Sequence, residues 1–153
     1  MSKFFGAWTG EELLSTDFVG GKPLIHQILY ELDNVLLVGR EKTNKSTLSL
    51  EIMCALTSGE PLFGEYEVDH QVNCVYLQSE GKIGSTKANF ENMRLVIPND
   101  PSKMLFSYHH AISLNRKEGL NLLITEIDSW GKRPSVIFID PLYQSMVGDP
   151  AGT

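Results

Sequence analysis

Four short apolar runs punctuate this chain, at residues 34–38, 74–77, 104–108 and 136–139. Continuous runs of four or five apolar residues suit strands buried on both faces. The intervals between them have helical character. Residues 45–58 carry apolar side chains at 48, 50, 52, 53, 55 and 56, and Gly59 is placed to cap a largely buried helix. Ser85 or Thr86 can cap a helix bearing Ala88, Phe90 and Met93. Leu120, Leu123, Ile127 and Trp130 recur at spacings of three and four, the mark of one apolar helix face, and Gly131 and Pro134 end it. Strands that alternate with helices predict an α/β fold, a parallel sheet with flanking helices.

The rest of the chain is less regular. Thr9 and Glu12 have the spacing of a capping box, which predicts a short helix from Gly10 to about Ser15. Gly20-Gly21-Lys22-Pro23 breaks the chain. Residues 24–32 fit helix or strand. Residues 60–73 are a mostly polar connection.

Composition narrows the function classes. The chain's 153 residues suit about one domain, and 42% apolar content is enough for a core. A net charge of -6 excludes a broadly basic nucleic-acid face, while leaving a few DNA-contacting loops open. Cys54 and Cys74 form no CxxC pair, so neither a disulfide scaffold nor a zinc site is expected. Both lie in apolar surroundings and read as buried free thiols, in keeping with a reducing compartment. No apolar run approaches the ~20 residues of a membrane span, and the N-terminus turns acidic without a signal-peptide core. A soluble, cytoplasmic protein with no membrane partner is the expectation.

The main chemical signal follows the first apolar run. Gly39-Arg40-Glu41-Lys42-Thr43-Asn44-Lys45-Ser46, with Thr47 next, fits a phosphate-binding loop in which Asn44 replaces the second glycine. Loop and helix amides would point at phosphates. Lys45 would bring a point charge to the β- and γ-phosphates, and the Ser46 hydroxyl would ligate Mg²⁺. Asparagine tolerates the left-handed conformation that glycine would supply, so the loop is expected to persist, with weakened binding. Asp140 closes the fourth apolar run, at the carboxyl edge where ligands of open parallel sheets bind, and is the candidate second Mg²⁺ group. Asp-Pro also starts turns. Glu80 follows the second run and could orient an attacking water; a solvated loop glutamate is the plain alternative.

Other residues carry less. His109 and His110 are adjacent on a strand and point to opposite faces, so packing or exposure is expected rather than a shared metal. His26 and His70 have no evident partners. Trp8, Trp130, Phe63 and Tyr66 read as packing groups, because no basic residues interleave with them as on a base-stacking surface. Tyr143 lies close enough after Asp140 to line a nucleotide pocket.

The order Val-Leu-Leu-Val-Gly-Arg-Glu-Lys-Thr-Asn-Lys-Ser-Thr, then Cys-Val-Tyr-Leu-Gln-Ser-Glu-Gly, then Ser-Val-Ile-Phe-Ile-Asp-Pro-Leu-Tyr resembles the RecA-like AAA ATPases. The branch it looks most like is the RepA-type replicative helicases of plasmids and phages. Glu12-Leu-Leu-Ser-Thr-Asp17 and Ser58-Gly-Glu-Pro-Leu-Phe-Gly64 share that likeness, which covers roughly Glu11 to Asp149. The resemblance implies a lead-in over residues 1–33 and a partial RecA-like core over 34–153. It implies ATP and Mg²⁺ as ligands, Lys45 and Ser46 as the Walker A lysine and metal ligand, Asp140 as the Walker B acid and Glu80 as the catalytic glutamate. It also implies a homo-oligomer, often a hexamer, that couples hydrolysis to work on DNA. Family members carry a later strand between the Walker A and Walker B strands. Since the sequence stops at Thr153, the expectation is a gap in the sheet, or Asp140 unusually close to the loop strand. Alternatives are a nucleotide-binding or interaction module without hydrolysis and a small-molecule kinase, for which Arg94, Arg116 and Arg133 form no lid cluster in sequence.

Overall fold

A computed structural model describes residues 8–15, 21–109 and 112–146. Asp17, His110 and Asp149, named above, lie outside that range. The capping box forms as expected: the Thr9 amide donates to Glu12 Oε2 at 2.9 Å and the Glu12 amide to Thr9 Oγ1 at 3.2 Å, opening α1 (Gly10–Ser15). The ambiguous segment resolves as a small antiparallel pair, β1 (Pro23–Ile25) and β2 (Leu29–Tyr30).

The main body alternates as predicted. It runs α2 (Lys45–Ser58), β3 (Cys74–Gln78), α3 (Ile83–Met93), β4 (Met104–Tyr108), α4 (Lys117–Trp130), β5 (Val136–Asp140) and α5 (Leu142–Ser145). Gly59 and Gly131 take left-handed conformations after α2 and α4, where a side chain would be strained. One cap is misplaced in the sequence reading. Helix α3 begins at Ile83, and Ser85 and Thr86 sit inside its first turn. The Thr86 hydroxyl donates to Gln78 Oε1 at 2.6 Å, because β3 ends beside that turn and offers a side-chain acceptor.

The sheet has the order β4-β3-β5, with β3 central and both pairings parallel. Alternation along β3 divides the core. Cys74 and Tyr76 face α2 and α3, where Leu50, Met53, Cys54, Leu56 and Met93 are buried with them. Val75 and Leu77 face α4 and pack with Leu123, Ile127 and Trp130. Leu120, predicted on that same apolar face, stays exposed one turn earlier. Both thiols are free and buried, and burial pushes them up, Cys54 to about 11 and Cys74 to about 12. They are inert at neutral pH.

One predicted strand does not form. Residues 34–38 have the composition of a doubly buried strand, yet they are irregular and lie in neither sheet. Val35 is 69% and Val38 79% exposed. A strand is held by its ladder, and an apolar run without a paired edge has no backbone partners to order it. The edge of β5 away from β3 carries no strand among the described residues. Val35→Ser should therefore change stability by less than about 0.5 kcal/mol, as at other surface positions. Urea denaturation would show it, and a loss several times larger would mean that the run is packed in solution.

Candidate functional site

The loop before α2 is closed on itself. Lys45 Nζ donates to the Gly39 carbonyl at 2.8 Å and the Arg40 carbonyl at 2.6 Å. The Thr43 hydroxyl also donates to the Arg40 carbonyl, at 2.7 Å. Asn44 has φ 60° and ψ 26°, the left-handed conformation expected of it, and Lys42 has φ 59°. The Asn44 side chain does not cap α2, while its carbonyl accepts the first helical bond from Leu48 at 2.9 Å. Gly39 is close-packed: a Cβ there would meet Thr43 Oγ1 at 2.9 Å. Arg40, Glu41, Lys42, Thr43, Asn44, Ser46 and Thr47 are all exposed, and Lys45 is half-buried.

The carboxyl edge of the sheet faces this loop through one side chain that the sequence reading missed. Tyr76, in the middle of β3, is 1% exposed. Its ring lies between Phe106 and Phe138, with centroids 5.9 Å and 6.0 Å away, since these residues share its register on β4 and β5. Its hydroxyl donates to Asp140 Oδ2 at 2.5 Å, and Ser46 lies near the same phenol. Burial first, then the hydrogen bond and charge of Asp140, push this phenol far above its usual range, so it remains a donor. The signal was in the sequence: a tyrosine buried among aliphatic strand residues needs a partner for its hydroxyl.

Ser46 and Asp140, distant in sequence, thus both lie near a single phenol. Glu80 lies just past β3, exposed, and its Oε2 accepts from the Tyr143 hydroxyl at 3.0 Å. Tyr143, placed only as a pocket-lining residue from sequence, therefore contacts the other candidate acid. Between the two acids, the Ser79 amide donates to the Asp140 carbonyl at 3.1 Å, which fixes the Glu80 turn against the end of β5.

The remaining candidates fall elsewhere. His109 pairs with Glu126 of α4 at 2.7 Å, and Ser107 donates to the same carboxylate at 2.5 Å. This is strand-to-helix packing, as expected of His109. His26 and His70, for which no partner was anticipated, both flank Asp69, at 3.8 Å and 2.8 Å. The β1 turn and the polar connection converge there, a proximity that sequence separation hides. Trp130 and Tyr66 pack against the two cores, while Phe63 is exposed in a turn at positive φ and is not a packing group. No group of three metal-binding side chains occurs among the described residues. No helix there is long and apolar enough to cross a membrane.

The donor set fits a nucleotide with a hard cation. The start of α2 lacks a side-chain cap, and a hydroxyl and a carboxylate, both oxygen donors, are gathered beside it. A family model described as an AAA domain matches residues 18–152 of the 153. No curated protein and no solved structure matches the chain.

Proposed function

This chain belongs to the AAA-domain family, whose function is nucleotide binding of the ATPase type, and from that premise we propose that it binds ATP with Mg²⁺ at residues 39–47 and hydrolyses it. The observation that carries the reading is a buried phenol that hydrogen-bonds Asp140 and lies near Ser46, in the first turn after the loop. Those two residues would hold Mg²⁺, which when bound neutralises phosphate charge. Lys45 would leave the Gly39 and Arg40 carbonyls and turn to the phosphates. Both positions satisfy its ammonium, so the loop can close empty and open for ligand without stranding a charge. Glu80 would orient the attacking water, and the Tyr143 hydroxyl would hold its carboxylate until substrate is present.

The finer reading is a RepA-type replicative helicase segment that works on DNA as a homo-oligomer, in the cytoplasm. The quoted order of motifs supports it. A non-hydrolysing nucleotide module is the second reading, favoured by Asn44 in the loop, where a side chain stands in place of a glycine.

Titration of ATP into the chain, with and without Mg²⁺, tests the proposal. Mg²⁺-dependent binding is expected, and its absence at millimolar ATP in a folded chain would end it. Release of phosphate separates hydrolysis from binding alone. Asn44→Gly should tighten ATP binding by roughly 3- to 10-fold, by relieving a left-handed asparagine and clearing bulk near the phosphates. An unchanged dissociation constant would show that Asn44 is no handicap.

A further inference from the structure

A role for Tyr76 follows from the nucleotide-site reading. The candidate metal groups stand on separate elements, Ser46 in the first turn of α2 and Asp140 at the end of β5. The described sheet does not set their separation, because residues 34–38, which lead into the loop, are paired with no strand among the described residues. One side chain hydrogen-bonds Asp140 and lies near Ser46. Its ring is wedged between Phe106 and Phe138 on the central strand, so its hydroxyl has little freedom to swing. We propose that Tyr76 is a positioning residue: its hydroxyl, anchored in the core, holds the Asp140 carboxylate in the orientation that Mg²⁺ requires.

A rigid aromatic ring on the central strand supports this carboxylate. It also gives Asp140 a donor on Oδ2 and thereby orients the whole carboxylate. Such outer partners of a ligand carboxylate commonly govern metal affinity.

Tyr76→Phe keeps the ring and removes the hydroxyl. Titration calorimetry of ATP, in Mg²⁺ and in EDTA, would compare this variant with the unsubstituted chain. We expect the Mg²⁺-dependent gain in affinity to fall ~10-fold or more, with binding in EDTA unchanged. A merely structural hydroxyl would lower the melting temperature and leave that gain intact, and this outcome overturns the proposal alone. An unsubstituted chain that shows no gain from Mg²⁺ overturns the nucleotide-site reading and the proposal together. Should the variant not fold, tyrosine ¹³Cζ NMR of the unsubstituted chain decides. Adding Mg²⁺ to the ADP-loaded protein should shift the Tyr76 signal and not that of Tyr30; an unmoved Tyr76 signal overturns the proposal.

Discussion

Lys45→Ala should weaken ATP binding by about 100-fold, which corresponds to roughly 2.8 kcal/mol. The figure follows from losing charge-assisted contacts, each worth about 1.5–3 kcal/mol where the partner is ionised. The fold should survive. Among the described residues Lys45 donates to two carbonyls of an exposed loop, Gly39 and Arg40, and these are free to hydrogen-bond water in its absence. Lys45→Arg should not restore affinity, because a planar fork does not replace a compact ammonium in a tight loop. Fluorescent-nucleotide titration beside a thermal melt reads both quantities. Undiminished ATP affinity in Lys45→Ala would move the nucleotide elsewhere.

Leu56→Ala should cost ~2–5 kcal/mol, the range for buried leucine truncations. Leu56 is fully buried on α2, in the cluster that joins this helix to Tyr76 and Met93. Its backbone carbonyl also accepts from the Val72 amide at 2.9 Å, so the helix meets the chain entering β3 at this point. Domains of this size are stable by only ~5–15 kcal/mol, so the loss is a large fraction of the total. Urea denaturation would measure it. A cost below ~1 kcal/mol would mean that α2 is not seated on the sheet as described. Since α2 carries Lys45 and Ser46 at its start, nucleotide binding should weaken in parallel once the variant begins to unfold.

Much of the architecture is legible in the sequence alone. The spans of α1, α2 and β4, the left-handed glycines after α2 and α4, and the parallel alternation were all readable, because capping residues and periodicity act over a few neighbours. Asn44 was legible too, since φ > 0 is a local preference. Leu120 and Thr86 were misjudged, because helical spacing says which residues share a face but not how far the neighbouring sheet extends over it.

Residues 34–38 show the limit most clearly. Their composition specifies a strand, but a strand exists only if another edge donates and accepts hydrogen bonds, and no local pattern contains that edge. Tyr76 shows the converse. The sequence marks it as a buried strand residue, and only register places Phe106 and Phe138 on either side of it and Asp140 within reach of its hydroxyl. The same holds for Asp69, which gathers two histidines from separate segments. Residue order alone specified most of the helices and strands, the glycines that end α2 and α4, and the loop before α2. Which acids, hydroxyls and aromatic rings face one another was settled by packing, because those contacts depend on distances that the chain closes only when its core forms.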